Sequence, residues 1–110
     1  MGGQLQFRFE GATCECYWVE IDLWEKVSGQ MLWTERVALA AEIALKEWQR
    51  VQGLHDFMAV GRAHFPEQFQ VCMASGRDPA EAMCFVWYLE TEIGWASLKR
   101  NGATVITVER

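Results

Sequence analysis

The sequence lacks most of the features that would assign it to a membrane, a secretory route or a standard catalytic class. Only two prolines occur in 110 residues, too few for a proline-rich linker or a disordered tail. The longest uninterrupted apolar run, Ala82 to Leu89, is far below the roughly 20 residues that a spanning helix needs. The N-terminus from Met1 to Glu10 has no apolar signal core and instead alternates polar with apolar residues, so the four cysteines are read as reduced thiols and the expected location is cytoplasmic. Gly2 suits N-myristoylation, but Gln6 stands where that signal requires Ser or Thr, and no lipid anchor is expected. Gly2-Gly3 and Gly29 lack the spacing of a phosphate-cradling loop.

Positive charge is the most informative shortage. From Glu10 to Glu25 there are five acids (Glu10, Glu15, Glu20, Asp22 and Glu25) and no base. This segment alone carries a charge equal to the formal −5 of the whole chain. Such a field disfavours nucleic acid and anionic membrane as direct ligands and favours a positively charged protein.

Hydrophobic residues make up 51% and charged residues 23%, the balance of one compact domain over residues 1–110 that buries about two-thirds of its unfolded surface. Residues 4 to 10 alternate, with Leu5, Phe7 and Phe9 on one side. After Gly11-Ala12-Thr13 the alternation resumes, setting Tyr17, Val19, Ile21 and Leu23 against Trp18, Glu20, Asp22 and Trp24. This pattern predicts a β-hairpin whose first set faces the core and whose second set faces water. Ser28-Gly29 marks a turn, Met31-Leu32-Trp33 reads as a brief strand, and Thr34 as the cap of a helix from Glu35 to about Gln52 that Gly53 closes. Pro66 divides the next helical stretch, 54–75, in two.

Asp78-Pro79 followed at position 81 by Glu81 resembles a helix start. The apolar run behind it predicts a central buried helix over Asp78–Arg100. Ala103 to Glu109, rich in β-branched residues, predicts a final strand. The expected fold is therefore α+β: a small antiparallel sheet, made of the N-terminal hairpin plus a C-terminal strand, covered on one face by three to four helices.

No catalytic constellation emerges. Cys14 and Cys16, two apart on a strand, can approach one soft metal, but structural zinc requires four ligands, and His55, His64, Cys72 and Cys84 supply no second pair. No metal and no cofactor is expected. His55-Asp56 resembles an acid/base couple, yet Asp56 fits a helix cap better, and neither Cys72 nor Cys84 has basic surroundings. Six tryptophans exceed what a core of this size requires, and Trp18 and Trp24 have no core assignment in the expected register. Exposed indoles beside carboxylates suit a binding surface, the alternative being that a helix, a loop or a second copy of the chain covers them. The sequence thus points to a small acidic, non-catalytic binding module whose face of Trp18, Glu20, Asp22 and Trp24, extended by Glu15 and Glu25, docks on a basic partner. A phage-type inhibitor of a nucleic-acid-binding defence protein would fit this size and charge. Homodimerisation through the same face is the second expectation, and a metal- or thiol-dependent enzyme the last.

Overall fold

The computed structural model describes residues 1–21, 32–89, 92–98 and 104–109. The chain runs through β1 (Gly2–Phe9), β2 (Ala12–Glu20), α1 (Trp33–Leu54), α2 (Phe57–His64), α3 (Pro66–Ala74), a 3-10 turn (Pro79–Ala82), β3 (Met83–Leu89), β4 (Glu92–Leu98) and β5 (Thr104–Glu109). The five strands form one antiparallel sheet in the order β2-β1-β3-β4-β5. No described helix is long and apolar enough to cross a membrane.

The N-terminal hairpin closes through Glu10-Gly11, with Phe9 opposite Ala12. Gly11 has φ of 78°, a left-handed conformation that tight hairpin turns demand and that a side chain resists. In α1, Val37, Ala40, Ala44, Trp48 and Val51 form the buried stripe. Its alanines bring it close to the sheet. Trp48 stacks on Phe85 of β3 at 5.6 Å and an angle of 15°, while Phe69 of α3 meets Phe7 at 4.9 Å and Phe9 at 5.5 Å. Phe57 of α2 lies beside Tyr17 at 5.6 Å. All four sheet residues in these contacts project from the same side by strand alternation and register. Nε1 of Trp48 and of Trp87 has no acceptor among the described residues, so both indoles are held by packing.

The segment expected as one central helix is instead β3 and β4, and this changes the sheet from three strands to five. Met83, Cys84, Phe85, Val86, Trp87 and Leu89 are all buried, and an interior strand covered on both faces is apolar at every position just as a fully buried helix is. Asp78 does accept from a backbone amide, that of Ala80 at 3.0 Å, but it caps only the 3-10 turn. The C-terminal strand accordingly pairs with β4 rather than with the hairpin.

Smaller departures concern α1. It begins at Trp33, so this last residue of the expected strand is helical while Met31 lies outside the described residues, and the start is secured by Glu35, whose carboxylate accepts from the Leu32 amide at 3.3 Å. Gly53 lies inside the helix, which runs on to Leu54. The division at Pro66 stands as expected, and Asp56 caps α2 by accepting from the Ala59 amide at 3.1 Å. At the end of α3 a Schellman motif joins Arg77 N–H to Cys72 O at 3.2 Å and Gly76 N–H to Met73 O at 3.0 Å. Gly76 takes the left-handed position there, with φ of 82°.

Candidate protein-docking face

The strand registers assign every described residue on the side of the sheet opposite Phe7 and Phe85. One cross-strand row reads Glu20, Gly2, Tyr88 and Ile93. The next reads Trp18, Gln4, Val86, Trp95 and Thr107, and a third Glu15, Gln6, Cys84, Ser97 and Val105. Arg8 follows, opposite Thr13.

Glu15 owes its place to a β-bulge. In unbroken alternation it would share the side of Tyr17 and Val19, but the register shifts between Leu5 and Gln6, so that Leu5 faces Tyr17 while Gln6 faces Glu15. Cys16 is the extra residue. It packs against the buried cluster near Cys14, and Glu15 joins Trp18 and Glu20 on the outer row ends. Trp18 is 55% exposed, and Glu15 and Glu20 are exposed as well. Neither carboxylate makes an ion pair with a described residue. The other proposed members of this face, Asp22, Trp24 and Glu25, lie outside the described residues.

The indole of Trp18 has a defined position. A Cβ on Gly2 would lie 2.7 Å from its Cζ2, so the ring rests over the glycine. Its plane is 22° from that of Tyr88, at 6.3 Å between centroids. On the same side of the sheet, the guanidinium of Arg8 on β1 lies 4.3 Å above the Trp95 ring on β4. Arg8 Nε donates to Gln6 Oε1 at 3.1 Å, and Gln6 Nε2 donates to Gln4 Oε1 at 2.7 Å. This chain satisfies Gln6, a buried polar side chain. These overlying side chains explain why Cys84 and Val86 are buried although they project away from Phe85. Ile93 and Val105, toward the β5 edge, remain 38% and 43% exposed.

Cys14, Cys16 and Cys84 have surroundings that suppress reactivity. Burial raises Cys14 above its ordinary value, and desolvation followed by the neighbouring Cys14 pushes Cys16 up to about 11. Burial also raises Cys84, against an opposing pull from Arg8. Such groups are poor thiolate nucleophiles at neutral pH. Among the described residues no three His, Cys, Asp or Glu side chains converge on a point that could hold a metal. His55 leans on Tyr17 at 5.0 Å and Phe57 at 5.4 Å, while the Asp56 carboxylate is taken up by its cap, so the two do not form a couple.

A feature that the sequence did not signal is a cleft of about 510 Å³ between the hairpin tip, α3 and the 3-10 turn. Phe9, Val71, Cys72 and Ala82 supply apolar lining. At its edge Arg77 pairs with Glu10 at 2.8 Å, and the Cys72 thiol donates to Arg77 O at 3.8 Å. Glu10 is thus held in an ion pair within the chain. Compared with protein-family models, with curated proteins and with solved structures, the chain matches none.

Proposed function

We propose that the protein is a non-catalytic binding module that docks the sheet face bearing Glu15, Trp18 and Glu20 onto a positively charged protein. In this reading the helices close the side of the sheet that carries Phe7, Phe85 and Tyr17 and leave the other side for the partner. The observation that carries the reading is the position of Trp18: a large indole, 55% exposed, flanked along its strand by two carboxylates without ion-pair partners among the described residues. Aromatic residues supply the lifetime of such complexes and acids the encounter rate. The raised thiols and the engaged Asp56 weigh against a cysteine or His-Asp enzyme. A basic, nucleic-acid-binding partner in a host defence system fits the acidity, with size and charge as its support.

The test is capture from a host lysate by the immobilised parent, by Trp18→Ala and by Glu15→Gln/Glu20→Gln. A partner should be retained by the parent. It should dissociate faster from Trp18→Ala, at a cost of about 2 kcal/mol, and associate more slowly with the double variant at low salt. Identical capture by all three proteins rejects the face.

Self-association is a second reading, favoured by an asymmetry between the sheet edges. The β2 edge carries a bulge and two acids, devices that discourage strand addition, whereas β5 (Thr-Val-Ile-Thr-Val-Glu) has no Lys, Pro or bulge. A concentration-independent monomer in sedimentation experiments would remove this reading.

A further inference from the structure

We propose that Trp18, Tyr88 and Glu20 form a receptor for an arginine side chain of the partner, an inference that rests on the docking-face reading and names the group this face recognises. Gly2 lies between Glu20 and Tyr88 in one cross-strand row, and the Trp18 indole rests over it. The absence of a side chain at Gly2 thus lets the indole approach the strand between Glu20 and Tyr88. With the two ring planes only 22° apart, Trp18 and Tyr88 present similarly oriented π-surfaces, and the exposed Glu20 stands at the margin of the pair. A guanidinium is planar and weakly hydrated, so it can lie on an aromatic face while its edge N–H groups reach a carboxylate. An ammonium is compact and strongly hydrated, and gains less from the same surroundings.

The face already holds one guanidinium in this way. Arg8 lies 4.3 Å over Trp95 while its Nε donates to the side-chain oxygen of Gln6. At Trp18 and Tyr88 the corresponding arrangement has the ring surfaces and a charged oxygen acceptor, and no described cation occupies it. Arg8, the base in the described rows of this face, is committed to Trp95 and Gln6, so charge complementarity calls for an incoming cation.

The experiment titrates the full chain with short Ser-Arg repeat peptides, their Ser-Lys counterparts and a citrulline version, following the indole N–H of Trp18 and the ring of Tyr88 by NMR. The Arg peptide should bind about tenfold more tightly than the Lys peptide, since stacking and charge-assisted hydrogen bonding act together on it. The citrulline version should bind weakest, and the shifts should centre on Trp18 and Tyr88. Trp18→Leu and Glu20→Gln, both at exposed positions, should each bring the Arg peptide down to the Lys level. Glu67→Gln on α3 should leave it unchanged. Equal affinity for Arg and Lys peptides overturns the arginine site, and if Trp18→Leu weakens both equally the docking face survives that failure. Arg-peptide binding that is unaltered by both Trp18→Leu and Glu20→Gln overturns the arginine site together with the face.

Discussion

Replacing Gly94 by Ala gives opposite outcomes for a helix and for the hairpin of β3 and β4. In the interior of a helix Ala would stabilise by about 1 kcal/mol relative to Gly. In the sheet, Gly94 lies opposite Trp87, and an added Cβ would fall 2.2 Å from Cε2 and Cζ2 of the indole. Carbon atoms rest comfortably at about 3.5 Å, so ring or strand must yield by about 1.3 Å. The ring has little room to withdraw, because Trp87 is fully buried. Overpacking of this kind costs about 1–3 kcal/mol, against which the stiffer unfolded chain returns about 0.4–1 kcal/mol. The expected net loss is about 1–2 kcal/mol. For a domain of this size that lowers Tm by about 4–9 °C and the urea midpoint by about 0.5–1.5 M. Thermal and urea unfolding, monitored by circular dichroism, provide the assay. A Gly94→Ala protein that melts at or above the parent would refute the hairpin.

Phe85→Ala removes a fully buried ring stacked on Trp48 and should cost about 3–5 kcal/mol, read from the shift of the urea midpoint. An unchanged midpoint would place the core elsewhere. Cys16 supplies a pH dependence: its pKa is raised from 9.0 to about 11 in the folded protein, so the fold favours the protonated thiol. Its contribution is complete below pH 9 and is lost as the pH rises toward 11. The stability gap between the parent and Cys16→Ala should shift against the parent over this interval, and a gap that is flat with pH would contradict the assigned environment. At pH 8 the thiolate fraction of Cys16 should be about a hundredfold below that of a free thiol, so iodoacetamide should label it slowly.

Local grammar made much of the fold legible. The Gly11 turn, the cap at Asp56, the break at Pro66 and the β-branched run at the C-terminus each act over a few residues, and each stands where the sequence put it. The run from Ala82 to Leu89 was ambiguous because full burial erases periodicity in a helix and in an interior strand alike. Its length, its aromatics Phe85, Trp87 and Tyr88 and its β-branched Val86 are the signals that favour a strand. The candidate face was legible in part. Alternation turned Trp18 and Glu20 outward correctly, with Val19 and Ile21 buried beneath them. The bulge at Cys16 that brings Glu15 onto the same side has no local signature. Tyr88, Trp95 and Arg8 could not be assigned to the face before the strand order was known.

A docking site at Trp18 requires that its indole stand in solvent while those of Trp48 and Trp87 do not. Substituting fluorotryptophan throughout and adding a soluble paramagnetic chelate reads all the indoles by fluorine NMR, with each signal assigned through a single Trp→Phe replacement. In a sample verified as monomeric by sedimentation, the Trp18 signal should broaden strongly, and those of Trp48 and Trp87 should remain sharp. If Trp18 is as protected as Trp87 in the monomer, the sheet face is covered by the chain itself and the docking site does not exist.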